Sequence, residues 1–177
     1  MKNICYLTLF LLCVFSCKKD KPNVPPPGTY AAMIVGHWSL KQQHVVVNVN
    51  GSKKTDTTYN PSSDNYVDIV FNANNAFSNI RYYPTGNGSI GQGALVGLYA
   101  VQGTFISMTT NGIWGLRNGD PAFSDAVPGA YPTILDSGSI AITQLTAASL
   151  VFHVEYTYSY NYTQSFKVES DYSFTKL

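Results

Sequence analysis

Hydrophobic and polar residues alternate most regularly near the C-terminus. Leu150, Phe152, Val154, Tyr156, Tyr158, Tyr160 and Tyr162 occupy one parity, and Val151, His153, Glu155, Thr157, Ser159, Asn161 and Thr163 the other. Successive side chains of a strand point to opposite faces, so this period of two predicts one long half-buried strand. The pattern resumes with Phe166, Val168, Tyr172 and Phe174, interleaved with Lys167, Glu169, Asp171 and Ser173. Both inward sets carry even numbers, so facing residues of an antiparallel pair sum to an even number, which requires an odd loop or a bulge. Residues 38–49 read as a second long strand whose phase changes near Gln42 and Gln43, as a bulge or bend would cause. Shorter runs at 66–71 and 76–83 flank Asn72-Ala73-Asn74-Asn75, and those at 95–102 and 104–109 flank Gly103. Runs at 133–136 and 139–146 complete the set. Eight to ten strands, with no helix beyond a turn or two, predict an all-β antiparallel domain. Long twisted hairpins favour closure into an up-and-down barrel, because closure removes exposed edges.

The N-terminus follows another pattern. Lys2 precedes an almost unbroken apolar run from Ile4 to Phe15. The run is too short to cross roughly 30 Å of hydrocarbon as a helix, and a short apolar core behind a basic start reads as an export signal. It ends in Val14-Phe15-Ser16-Cys17, which resembles a lipobox, with Phe15 in place of the usual small residue. Residues 1–17 are therefore expected to be a bacterial lipoprotein signal ending at a lipid-acceptor Cys17. Residues 18–30 are charged and then proline-rich (Pro22, Pro25, Pro26, Pro27). Such a spacer stays extended at about 3 Å per residue, lifting the domain of residues 31–177 roughly 30–40 Å from the bilayer. Cys5 and Cys13 lie in the signal, so a processed chain retains Cys17 alone and has no disulfide or thiol chemistry. The expected location is an envelope membrane, with the outer one favoured and the domain in the periplasm or at the cell surface. Lys18-Lys19-Asp20-Lys21 contains no acidic cluster that would specify a face.

Composition narrows the partners. Eleven basic residues less Lys2 leave ten against ten acidic ones, and charged residues make up 12% of the chain. A neutral chain offers no electrostatic footprint for nucleic acid and no polybasic patch for anionic lipid. Abundant Tyr, Gly, Thr, Ser and Asn suits strands and turns.

Several segments, in order, resemble bacterial lipocalin-like lipoproteins. Ile34-Val35-Gly36-His37-Trp38-Ser39-Leu40 resembles the family's opening Gly-x-Trp strand, with Gly36 and Trp38 as the structural pair. Val70 to Phe77 resembles an F-x-x-(N/D)-G-x-F hairpin in which Asn75 replaces the glycine. Gly97-Leu98-Tyr99-Ala100-Val101 and Ile142 to Phe152 are similar to later strands. The resemblance implies a single barrel with a central cavity. In that family the Trp packs under an Arg from a late strand. Here the arginines are Arg81 and Arg117, so the floor is expected to close differently.

Candidate chemistry is sparse. His37, His44 and His153 are the imidazoles; three from separate strands could hold zinc, but exposed or singly hydrogen-bonded histidines are the favoured reading. His37 and His44 differ in parity if their strand is regular. Glu155 and Glu169 fall on outward faces, where water keeps carboxylates ordinary and ionised. No G-x-S-x-G, H-E-x-x-H or phosphate-cradling loop occurs, and Gly86 to Gly93 reads as a flexible loop between strands. No enzyme activity, cofactor or metal is expected. Two features point to binding. Buried tyrosine hydroxyls without partners cost about 1–3 kcal/mol each, so Tyr156, Tyr158 and Tyr160 should face water or a ligand, with Tyr99 also lining the cavity. Residues 111–132 form a long loop carrying Trp114, Arg117, Phe123 and Tyr131, a composition suited to a lid or binding loop. The expected function is a tethered barrel that holds a small apolar or amphipathic molecule. The alternatives are a glycan-binding module using exposed aromatics and a structural or partner-binding component with a filled barrel.

Overall fold

Alternation along the chain becomes a wall of paired strands. The computed structural model describes residues 29–109, 140–160 and 163–177, the side chains of Tyr156, Tyr158, Ser159 and Tyr160 apart. A short helix, α1 (Thr29–Met33), leads into nine strands among the described residues. They are β1 (Gly36–Val49), β2 (Ser52–Tyr59), β3 (Tyr66–Phe71), β4 (Ala76–Pro84), β5 (Ile90–Gln102), β6 (Phe105–Met108), β7 (Ile140–Leu145), β8 (Ser149–Tyr160) and β9 (Gln164–Lys176). Neighbours follow chain order from β3 to β9, and β1 pairs with both β3 and β9, which closes an eight-strand antiparallel barrel. β2 stands outside the ring on the free edge of β1. This is the all-β up-and-down barrel that the pattern predicts. Thr29 and Tyr30, expected at the end of the spacer, open α1. The expected strand at 133–136 lies outside the described residues.

The final hairpin has the expected register. Leu150 faces Phe174, Phe152 faces Tyr172 and Tyr160 faces Gln164, every pair summing to an even number across an odd loop. The phase change in β1 is a bulge: pairing passes from Leu40–Phe174 to Gln42–Ser173 and skips Lys41. Inward positions therefore switch from Trp38 and Leu40 to Gln43, Val45 and Val47, all buried. The same switch places His37 and His44 on one outer face, correcting the opposite parities of a regular strand.

Two elements depart from the sequence pattern. β2 has exposed or half-buried positions throughout, so no alternation marks it. It forms because β1 runs on past its pairing with β3 and offers unpaired backbone, while Lys53, Lys54 and Asp56 guard the new edge with charge. The glycine-rich segment is only partly a loop, since Ile90 to Gly93 belong to β5 opposite Pro84 to Arg81. Gly91 is there for room: a Cβ would lie 2.7 Å from the Tyr83 ring.

The floor of the barrel is tightly filled. Trp38 is wholly buried, and its indole Nε1 donates to the Ile34 carbonyl at 2.7 Å. Tyr30 of α1 and Ile34 just after it close the end, while Phe71, Phe152 and Phe174 meet edge-on at centroid distances of 6.2 and 5.7 Å. The cation over the tryptophan is a lysine. Lys176 Nζ lies 5.0 Å from the centre of the Trp38 ring and donates to the carbonyl of Val35 at 2.8 Å and that of Met33 at 3.4 Å. Its stem crosses Gly36, where φ is +144° and a Cβ would collide with Lys176 Cε. Gly36, Trp38 and Lys176 therefore form one device joining the first and last strands. At the β3–β4 turn, Asn75 takes φ 65°, a left-handed conformation that Asn tolerates better than most residues, which explains how it replaces glycine.

Candidate functional site

Above the floor the inner surface changes character. On one wall, Val45 and Val47 of β1 and Phe166 and Val168 of β9 continue the buried apolar lining. Among them sits a polar group: Gln43 Nε2 donates to Ser170 Oγ at 3.4 Å, and Ser170 Oγ donates to the His44 carbonyl at 3.2 Å. Tyr172 shares a side-chain hydrogen bond with Ser170, yet burial dominates and pushes its phenol up to about 12. On the other wall, the inner side of β4 carries Asn79, Arg81 and Tyr83. Asn79 is fully buried and donates to the Asp68 carbonyl at 3.1 Å. Arg81 lies 6.0 Å from the Tyr83 ring centre, and both stand opposite the side-chain-free positions Gly93 and Gly91. The described inner positions are thus mostly apolar, with a few fixed polar groups and Arg81 among them. Ligand pockets have that make-up.

The expected site residues are distributed unevenly over this surface. Tyr99 belongs to the floor: it is buried edge-on against Phe71 at 4.9 Å, and its hydroxyl donates to the Asn72 carbonyl at 2.9 Å. Burial raises its phenol above the ordinary range. It is therefore a packing and turn-fixing residue rather than a cavity-lining one. Tyr156, Tyr158 and Tyr160 fall on β8 opposite Val168, Phe166 and Gln164 in register; their side chains lie outside the described residues. So do Trp114, Arg117, Phe123 and Tyr131, and likewise Cys17. Arg81 was absent from the sequence-based candidates. Its signal was the parity it shares with Phe77 and Asn79 on a recognised strand.

The outer side of the opposite wall carries a second arrangement. Bulges at Lys41 in β1 and Thr143 in β7 flank an open groove of about 590 Å³ lined by Gln42, His44, Thr58, Thr143, Val151, Asp171 and Ser173. Within and beside it, His153 Nδ1 lies 2.7 Å from Asp171 Oδ1, and His44 Nδ1 lies 3.9 Å from Asp171 Oδ2. His44 Nε2 reaches Asp56 Oδ1 at 2.9 Å, and Lys53 also holds Asp56. Hydrogen bonds from Lys53 and then His44 lower the Asp56 carboxyl below its ordinary value. His44 and His153 each make one side-chain hydrogen bond, to Asp56 and to Asp171, as the favoured reading expects; the register of β1, β9 and β8 sets them on either side of the Asp171 carboxylate. Among the described residues no group of three or more His, Cys, Asp or Glu is placed to hold a metal ion.

Glu155 and Glu169 face outward as expected, directly opposite each other. Lys167 bridges them at 3.2 and 2.6 Å. Its hydrogen bond lowers the Glu169 carboxyl, while Glu169 and then Glu155 raise the lysine. Two like charges facing each other would repel, and Lys167 offsets that. No family model matches the chain, and no curated protein matches its sequence.

Proposed function

We propose that the protein is a non-catalytic, lipid-tethered barrel of lipocalin type that holds a small amphipathic molecule on the inner surface above its floor. The observation that carries this reading is the change in lining. Below, aromatic side chains fill the closed ring. Above, Val45, Val47, Phe166 and Val168 on one wall lie across the barrel from Arg81 and Tyr83 on the other. Apolar lining favours an acyl or ring system, and the few polar groups fix its orientation. An arginine on the inner side suits a ligand with an anionic or strongly polar head. The Trp38–Lys176 pairing supports the lipocalin likeness, because a cation from the last strand covers the tryptophan of the first. Tethering rests on the leader pattern ending at Cys17, which supports attachment to an envelope membrane.

The test is native mass spectrometry of the whole protein extracted gently from its own envelope. The expected result is a repeated adduct of one lipid-like mass class that Arg81→Gln weakens without lowering the unfolding temperature. Adduct-free protein, together with no thermal shift from fatty acids or lysophospholipids, overturns the reading.

A further inference from the structure

The outer side of β5 differs from that of β8 and β9, which carries Glu155, Lys167, Glu169 and Asp171. Its outward positions are Ile90, Gln92, Ala94, Val96, Leu98, Ala100 and Gln102, with no charge among them. Val96 and Leu98 are 64% and 56% exposed, and Phe105, outward on β6, is 50% exposed. Their paired neighbours are small: Val96 stands opposite Ser78, Leu98 opposite Ala76, and Ala100 opposite Ser107. The solvated face of an antiparallel sheet ordinarily carries polar side chains, and contiguous exposed apolar ones mark a contact surface.

Position identifies the contact. The turns joining β3 to β4, β5 to β6 and β7 to β8 all lie at the floor end, as do α1 and the C-terminal Leu177, itself exposed. α1 packs against β5. The chain from Cys17 therefore joins the domain at its floor, beside the strand that carries the stripe. The spacer between them reaches roughly 30–40 Å at most if extended, so the floor end is the part of the domain held closest to whatever anchors Cys17. We propose that the floor end of β5 and β6 rests on that bilayer, with Val96, Leu98 and Phe105 entering the boundary between headgroups and acyl chains. This rests on the reading of Cys17 as lipidated. Tethering raises the local concentration of the face at the membrane, so the contact needs little affinity of its own. Burial of apolar area, at roughly 25 cal/mol per Å², supplies the attraction. With no charge on the face, the contact should be indifferent to salt and to anionic lipid.

The full chain carrying Val96→Cys tests this in vesicles of phosphatidylethanolamine and phosphatidylglycerol. An environment-sensitive nitrobenzoxadiazole label is placed on the new thiol, and Lys54→Cys on β2 serves as the comparison site. Mass spectrometry of the N-terminal peptide reads acylation of Cys17 in the same sample. The expected result is an acylated peptide and a label at 96 whose emission shifts blue and is largely quenched by doxyl-labelled lipid. The label at 54 stays unquenched, and neither high salt nor omission of phosphatidylglycerol changes the contrast. An acylated peptide with an unquenched label at 96 overturns the contact and leaves the tether standing. A blue-shifted but unquenched label means that protein, from this chain or another copy, covers the face, and this also overturns the proposal. Equal quenching at both sites does so too. An unacylated peptide with selective quenching at 96 upholds the contact and removes the tether, while neither signal removes both.

Discussion

Around β1, β2, β8 and β9 the outer wall is a ladder of ionisable side chains: Lys53, Asp56, His44, Asp171 and His153 in one run, and Glu155, Lys167 and Glu169 in another. Around β5 and β6 the outer wall has no charge among its outward positions, and Ile90, Val96, Leu98 and Phe105 are exposed on it. Both walls enclose the same interior, and their inward residues obey the same alternation. The difference shows that inward and outward positions answer to different demands. Inward residues are fixed by closure and packing, which every strand shares. Outward residues are free of that demand and report the surroundings of each wall: water beside the ladder, an apolar neighbour beside the stripe.

If the interior is common property, damaging it should unfold both walls together. Trp38→Ala removes a wholly buried ring that joins β1, α1 and the last strand. The expected loss is about 3–5 kcal/mol, read as a single urea transition in which amide protection of β5 and β9 disappears at one midpoint. Two separate midpoints would show that the walls are not one cooperative unit.

The next effect also comes from inside. Burial raises the Tyr172 phenol to about 12, above its ordinary value near 10. A group whose folded pKa is raised contributes stability that is fully present below its unfolded pKa. That contribution is lost as pH rises through the folded one, so stability should fall between pH 10 and about 12. A two-unit shift corresponds to about 2–3 kcal/mol as an upper bound. Tyr172→Phe should flatten that part of the alkaline denaturation curve at a constant cost near 1 kcal/mol for the lost hydrogen bond. An unchanged slope would show that the alkaline loss arises elsewhere.

Lys176→Met tests the joint between the first and last strands at a smaller scale. It removes the charge over Trp38 and two donations to backbone carbonyls. A cation–π contact contributes about 0.5–2 kcal/mol depending on its desolvation, so a loss of about 1–2 kcal/mol is expected by thermal unfolding, with most of it recovered in Lys176→Arg. An arginine variant no better than methionine would mean that the charge over the ring contributes little.

These interior effects were legible in the sequence to different degrees. The register of the final hairpin and the bulge in β1 could be read because alternation is a local signal and an extra, unpaired residue shifts its phase. β2 could not be read, because an edge strand with both faces in water has no period; it exists because β1 overhangs its neighbour. The place of Lys176 over Trp38 is a contact between the two ends of the chain, which no local pattern encodes. The same holds for His44 and His153 meeting at Asp171: alternation puts each on an outer face, but only the register across three strands makes them neighbours. Arg81 was within reach, since parity along β4 aims it inward, yet an arginine on a short strand is ordinarily read as an outward residue.

The smallest effects belong to the outer walls and sharpen the comparison most. Asp171→Asn removes the carboxylate from the ladder and leaves an amide of the same shape between His153 and His44. All three side chains are one-third exposed or more, so water and salt screen the interaction, and the expected loss is at most about 1 kcal/mol, shrinking further at high ionic strength. Val96→Lys places a charge where none exists. Because the side chain already projects into solvent, the unfolding free energy should move by no more than about 0.5 kcal/mol. Equal and small effects on stability, measured side by side in urea, are what outward positions owe to folding. A loss above about 2 kcal/mol in Asp171→Asn would instead make the ladder part of the framework, and its groove would then be held rigid by charge rather than merely wetted. A comparable loss in Val96→Lys would show that the stripe is covered within the protein itself. Burial within the protein would then account for the absence of charge from the outer side of β5.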